Sequence, residues 1–340
     1  MKVFITGGAG YIGTVLTEEI LNRFRHAKVI VYDNLLYKQD GLFSFFKYPE
    51  DRFEFVYGDV RDEKALGAQI EKLDKDNDYI IPLAAIVGFP ACERDQQLAH
   101  EVNYKHVKYI AQSTKCRIIY PNTNSGYGAR DKHKNDDQSY CTEETPLSPI
   151  SVYGKTKCEA EKLILSSGHT SLRLATVFGT SYRFRKDLLL NDFVLRAVTD
   201  SCITLFESSF KRNFIHVRDV ARAFIKMFGL RCQPNNDGGT VFIDDNNKPF
   251  DPYGQAYNVG LSSANFSKRE LCERIKQHVP QFVIATSEIN ADPDKRNYIV
   301  NNEKLEKTGW NARVDIDTGI KELIRAYQVF NKVNVRHTNL

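Results

Sequence analysis

Tyr153 and Lys157 stand four residues apart in Tyr153-Gly-Lys-Thr-Lys157, at the start of a segment with helical character. Positions i and i+4 share one helix face, so a phenol and an ammonium can reach one pocket. A positive charge nearby lowers a phenol's pKa, and an oxidised nicotinamide ring adds to that field. A phenolate near neutral pH can take the proton of a substrate hydroxyl while the carbon beneath gives hydride to NAD. Thr123, in Pro121-Asn-Thr-Asn-Ser-Gly-Tyr-Gly128, ends a strand-like run. Its hydroxyl can hydrogen-bond the reacting oxygen beside Tyr153. Tyr-x-x-x-Lys by itself describes many surface helices, so its weight comes from what precedes it.

What precedes it is a phosphate-binding turn. Gly7-Gly-Ala-Gly10-Tyr11-Ile12-Gly13 follows a strand-like run and opens a helix-like one. Gly7 allows the tight turn, Gly10 lets a pyrophosphate approach the backbone, and Gly13 lets helix and strand pack closely. The free N–H groups at the helix start, those of Tyr11 and Ile12 among them, then face the phosphates. Asp33 closes the next strand, twenty residues after Gly13. A carboxylate there can bond both hydroxyls of the adenosine ribose and repels a 2′-phosphate, which selects NAD over NADP. Asn34 adjoins it, and Gly58-Asp59-Val60 follows the third strand, where adenine would lie.

These residues need a scaffold. Val3–Thr6, Val29–Tyr32, Phe53–Tyr57, Tyr79–Leu83, Arg117–Tyr120 and Ser171–Ala175 read as strands. Helical patterns fill gaps between them, such as Ile12, Leu16, Ile20 and Phe24 at spacing four. Nearly continuous apolar strands alternating with helices imply a parallel sheet covered on both faces. The expected fold is therefore α/β: a Rossmann-type doubly wound sheet over residues 1–170 with a smaller C-terminal α/β lobe. Residues 171–340 should mainly form that substrate lobe, with some segments returning to the sheet. There, Ile203–Phe206, Phe214–Val217 and Tyr257–Val259 read as strands, and Arg218–Phe228, Ser267–His278 and Asp317–Phe330 as helices. Ser267-Lys-Arg-Glu270 has the form of a capping box. Arg130–Ser139 and Gln233–Pro252 read as solvated loops.

The chain has 340 residues, 47 basic and 43 acidic, for a net charge of +4. So small and scattered an excess does not suggest nucleic acid, although it suits an anionic small substrate. Seven widely spaced cysteines without a CxxC pair, and eight histidines without ligand spacing, imply reduced thiols and no structural metal. No run of eighteen apolar residues suggests a membrane span. With no leader before the strand at Val3, the location expected is cytoplasmic.

Taken together, the motifs resemble the extended short-chain dehydrogenase/reductases, the NAD-dependent nucleotide-sugar epimerase/dehydratase family. Leu83-Ala84-Ala85 matches the family's turn after the fourth strand, with Pro82 where a histidine is frequent, and Asn103 matches its asparagine in the following helix. Glu144-Thr-Pro-Leu-Ser-Pro149 leads into Tyr153 in the family manner. Arg173-Leu-Ala-Thr-Val-Phe-Gly179, Arg212-Asn-Phe-Ile-His-Val-Arg-Asp219 and Gly309-Trp310 are further signatures. The resemblance implies a nucleoside diphosphate sugar as substrate. It places Thr123, Asn124 and Ser125 near the sugar and Asn191, Arg212 and Arg296 at the diphosphate or nucleotide; guanidinium forks suit phosphate oxygens. Arg183 and Arg185 read equally well as a solvated loop or as substrate contacts. A homodimer through helices containing Asn103–Thr114 and Val152–Leu165 is also implied.

Members that remove water across C5 and C6 carry Thr-Asp-Glu at the catalytic strand end. Here the triplet is Thr123-Asn124-Ser125, so 4,6-dehydration is not expected. Oxidation at C4 needs only the tyrosine, lysine and hydroxyl, which are all present. That leaves a 4-dehydrogenase, a 4-epimerase or, more distantly, a non-catalytic dinucleotide sensor. Ile81–Gly88, Pro121–Gly128, Tyr257–Asn265 and Asp292-Pro-Asp-Lys-Arg296 are similar to motifs of the GDP-heptose 4-dehydrogenases of capsular heptose biosynthesis. That implies oxidation of GDP-D-glycero-α-D-manno-heptose, with a 2-oxo acid such as 2-oxoglutarate as a candidate acceptor for the hydride.

Overall fold

The computed structural model describes residues 1–129, 140–229, 232–234, 240–287 and 296–330. Its centre is a seven-stranded sheet. Six of its strands are β1 (Lys2–Thr6), β2 (Lys28–Asp33), β3 (Phe53–Tyr57), β4 (Tyr79–Pro82), β5 (Arg117–Thr123) and β6 (Thr170–Leu174). They are followed by β7 (Thr176–Phe178), β8 (Cys202–Phe206), β9 (Lys211–His216), β10 (Cys232–Pro234), β11 (Thr240–Phe242), β12 (Ala256–Val259), β13 (Asn265–Ser267) and β14 (Val283–Ser287). The large sheet runs β12-β6-β5-β4-β1-β2-β3, and every pairing in it is parallel.

Both faces of the sheet are covered, which is why its strands are apolar almost without interruption. Val3, Ile5, Val29, Val31, Ile81 and Leu172 pack on one side with α1 (Tyr11–Arg23) and, from far along the chain, α8 (Val217–Lys226). Phe4, Ile30, Tyr32, Ile80, Ile118 and Tyr120 pack on the other. There they meet α2 (Glu63–Ile70), α5 (His106–Ser113) and α6 (Val152–Ser166). The short helices α3 (Phe89–Arg94) and α4 (Gln96–His100) precede α5, and a π turn over Glu101–Lys105 leads into it.

The winding reverses between β1 and β4, and this is where a doubly wound sheet opens a crevice at its carboxyl ends. The turns after those two strands touch. Gly7 has φ +68°, and a Cβ built on it would lie 2.4 Å from the Ala84 nitrogen. No other residue type fits there.

The remaining strands form β13-β9-β7, the pair β14-β8 and the hairpin β10-β11. Helices α7 (Leu189–Thr199), α9 (Lys268–His278) and α11 (Ile316–Phe330) enclose a separate core of Leu190, Phe193, Leu271, Ile275, Phe282, Ile320 and Tyr327. The short α10 (Glu303–Glu306) lies between α9 and α11 in sequence. The capping box forms: the Ser267 hydroxyl accepts from Glu270 N, and the Glu270 carboxylate accepts from Ser267 N. β12 returns to the large sheet beside β6, and α8 returns to cover α1.

The described parts of the Gln233–Pro252 stretch include paired strands and a buried aromatic, where a solvated loop was expected. β10 and β11 pair antiparallel, and Phe250 is buried with its ring 6.2 Å from Tyr257. Residues 235–239 and the Arg130–Ser139 segment lie outside the described residues. Among the described residues no helix is long and apolar enough to cross a membrane. Cys92, Cys116, Cys141, Cys158, Cys202 and Cys272 are free thiols.

Candidate active site

A cleft of about 1000 Å³ runs along the carboxyl ends of the large sheet. Gly7, Gly10, Tyr11, Ile12 and Gly13 line it at the β1 turn. Gly10 caps α1 in extended conformation with no side-chain hydrogen bond, so the helix start keeps open N–H groups for an anion. Gly13 packs on the turn rather than on the strand: a Cβ there would lie 2.5 Å from the Gly8 oxygen. Asp33, at the end of β2, accepts from Ala9 N at 3.0 Å and Leu35 N at 2.8 Å. Burial raises its pKa while those two bonds oppose the rise. Asp59 is clamped by Arg61, whose Nε and Nη2 donate at 3.0 and 2.8 Å, and by the Asn34 amide at 3.1 Å. Chiefly through Arg61 its pKa falls to about 2. Val60, Leu83, Ala84 and Ala85 complete this half of the cleft.

Tyr153 and Lys157 enter the same cleft from α6, and Thr123 from the end of β5. Ser151 caps α6 by accepting from Gly154 N at 3.1 Å, which places Tyr153 in the first turn. Lys157 is 3% exposed, with Nζ 4.1 Å from the centre of the Tyr120 ring. Among the described residues no carboxylate pairs with it. Burial dominates both groups: it pushes the Lys157 ammonium down to about 7 and the Tyr153 phenol up to about 12. The charges that offset the rise at Tyr153 are the guanidiniums of Arg296 and Arg185.

On the far side, a chain of donors crosses the cleft. Arg212 bonds the Arg296 carbonyl, Arg296 bonds the Ser125 hydroxyl, and the Thr123 hydroxyl lies 2.9 Å from it. Arg183 lies over the Tyr37 ring at 5.2 Å, and Arg185 pairs with Asp187. All of these side chains line the cleft.

Comparison with known proteins identifies this arrangement. Residues 3–237 match the NAD dependent epimerase/dehydratase family. The chain belongs to that family. It is similar to the uncharacterized UDP-glucose epimerase YtcB of Bacillus subtilis (strain 168), with 28% identity over 72% of this chain and 76% of that protein. It is also similar to the low-salt glycan biosynthesis protein Agl12 of Haloferax volcanii, with 24% identity over 96% of this chain and 98% of that one. Among solved structures, UDP-glucuronic acid 4-epimerase from Bacillus cereus superposes with TM-score 0.77 at 18% identity, covering 96% and 99% of the two chains. UDP-glucose 4-epimerase from Thermotoga maritima superposes with TM-score 0.75 at 19% identity, again over 96% and 99%.

The family's NAD fits the residues present. The turn from Gly7 to Gly13 leaves backbone space for a diphosphate, and the Asp33 carboxylate stands at the β2 end of the cleft. Three of the expected site residues stand back from the cleft. Asn103, in the π turn, spends its amide on the Ile86 N–H and carbonyl, at 2.9 and 3.0 Å, so it shapes the turn after β4. Asn191 is fully buried and holds Gly179 and the Arg185 carbonyl. Asn124 is 1% exposed, and among the described residues neither of its amide atoms has a hydrogen-bond partner.

Sequence reasoning passed over other contributors. Tyr120, under Lys157, reads as an ordinary core aromatic. The buried Glu161 bonds Asn122 and Ser171, each at 2.6 Å, and pairs with Arg173 at 2.8 Å. Its spacing of four from Lys157 was the available signal.

Proposed function

We propose that the protein oxidises C4 of a nucleoside diphosphate sugar, with Tyr153 as the base. The observation that carries this reading is the meeting of Tyr153, Lys157 and Thr123 with the Gly7–Gly13 turn and Asp33 in one cleft. Tyr153 takes the proton of the C4 hydroxyl, Thr123 orients the oxygen, and Lys157 holds the nicotinamide ribose. NAD, when bound, supplies the carbon that accepts hydride. Arg212 and Arg296 receive the diphosphate. The neutral pair Asn124 and Ser125 offers no carboxyl group for removing water, which favours simple oxidation over 4,6-dehydration.

The motif resemblance favours GDP-D-glycero-α-D-manno-heptose as the sugar, with a 2-oxo acid reoxidising the NADH. A 4-epimerase is the second reading, favoured by similar structures that are named 4-epimerases. In it the 4-keto sugar turns over and takes hydride back on its other face. Incubation with GDP-, UDP-, dTDP- and CDP-sugars decides between them. A released ketone with NADH supports oxidation; an epimer without ketone supports the second reading. Tyr153→Phe should lower turnover by at least about 10³-fold while NAD still binds. Full activity in that variant would overturn the assignment.

The same reading includes a homodimer through α5 and α6. Their exposed positions are Lys108, Gln112 and Ser113 on α5 and Lys155, Glu159, Lys162 and Ser166 on α6, so such an interface would be polar.

A further inference from the structure

The segment from Gly179 to Leu188 places Arg183 and Arg185 on the cleft wall. Much of what holds it comes from α1, the helix whose start faces the cofactor. Tyr11 Oη donates to the Gly179 carbonyl at 2.7 Å. The Thr14 and Ser181 hydroxyls lie 2.9 Å apart. Ser181 Oγ donates to the Tyr11 carbonyl at 2.7 Å, and Tyr182 Oη to Glu18 Oε1 at 2.6 Å. Residues 11, 14 and 18 form one stripe of α1, at spacings of three and four. Ser181 Oγ also accepts from Arg183 N at 3.3 Å, so the stripe reaches the backbone of the guanidinium-bearing residue. From the opposite side, Glu322 on α11 accepts from Thr180 N and Oγ1, at 2.9 and 2.6 Å.

We propose that Thr14 and Ser181 are positioning residues for the nucleotide sugar, setting from the cofactor's own helix the wall that presents Arg183 and Arg185 to the diphosphate. This rests on the reading given under Proposed function. Neither hydroxyl is a catalytic group. Thr14 is fully buried, and Ser181 is partly so. What they control is the path of the backbone that carries two cations. A small displacement of such a wall weakens substrate binding more than it alters the chemical step.

The test compares Ser181→Ala, Thr14→Val and the conservative Thr14→Ser, each loaded with NAD. With a nucleotide sugar that the wild type turns over, Ser181→Ala and Thr14→Val should raise KM roughly 5–20-fold. In both, kcat and the Kd for NAD should stay within about 2-fold, and Thr14→Ser should restore KM. Calorimetric binding of GDP and UDP to the same proteins gives a second readout and should show the same loss. An unchanged KM, or a loss of NAD affinity equal to the rise in KM, would overturn the proposal. A wild type that turns over no nucleotide sugar sinks the reading given under Proposed function instead. The positioning role is then decided by GDP and UDP: weaker binding in Ser181→Ala supports it, and equal or undetectable binding in all four proteins overturns it.

Discussion

At the residue scale, burial acts more strongly than neighbouring charge on both Tyr153 and Lys157. Burial pushes the Lys157 ammonium down to about 7, and among the described residues no carboxylate pairs with it. The consequence for stability has a definite sign. In the unfolded chain lysine holds its proton up to about pH 10.4. Between about 7 and that value the unfolded state therefore binds more protons, and stability rises with pH. Below about 7 the folded protein must carry a buried, poorly solvated ammonium. Lys157→Met should therefore raise the melting temperature, relative to wild type, most at pH 6 and least at pH 10. Thermal unfolding at pH 6, 8 and 10 measures this; a constant difference would show that the ammonium is well solvated. The phenol has the opposite constraint. With its pKa pushed to about 12, Tyr153 needs further positive charge to act as a base near neutrality. Oxidised nicotinamide supplies such a charge when bound.

At the scale of elements, α6 carries the chemistry and a buried polar network sets its position. Glu161 joins the helix to Asn122 on β5 and to Ser171 and Arg173 on β6. Arg173 continues to the Tyr127 hydroxyl and the Glu143 carbonyl, at 3.0 and 2.9 Å. A charge pair so deeply buried is strongly destabilising when one partner is removed, because the other is left uncompensated. Glu161→Gln should cost about 3–5 kcal/mol of stability, read as a shift of the urea midpoint. A loss below 1 kcal/mol would mean that Arg173 finds other acceptors. The network also explains how Tyr153, Lys157 and Thr123 come together. Two of them ride on a helix and one on a strand, and Glu161 ties that helix to that strand.

At the scale of the molecule, the dinucleotide half draws elements from the rest of the chain. β6 is flanked by β12, and α1 is covered by α8, whose Val217, Val220 and Phe224 are fully buried. A fragment of residues 1–170 lacks β6 almost entirely and all of α8 and β12. It would leave part of one face of the sheet, and α1 itself, uncovered. We expect that fragment to show no cooperative thermal transition, whereas the whole chain unfolds cooperatively. Circular dichroism against temperature checks this. A sharp transition in the fragment would place the domain boundary at residue 170 after all.

Much of this was legible beforehand where physics acts locally. Strands buried on both faces must be apolar, so their places and the parallel sheet followed from composition and period. The glycine turn, Asp33 and the Tyr153–Lys157 pair are local patterns as well, because their partners lie within one turn or one strand-helix unit. Other facts depended on which distant segments meet, and no local pattern encodes that. The amides of Asn103 and Asn191 go to backbone groups 17 and 12 residues away, and so they stand behind the cleft rather than in it. Burial raises the phenol's proton affinity, and burial is a property of the packed chain. The tie from Thr14 to Ser181 spans 167 residues, a closure only the folded molecule makes.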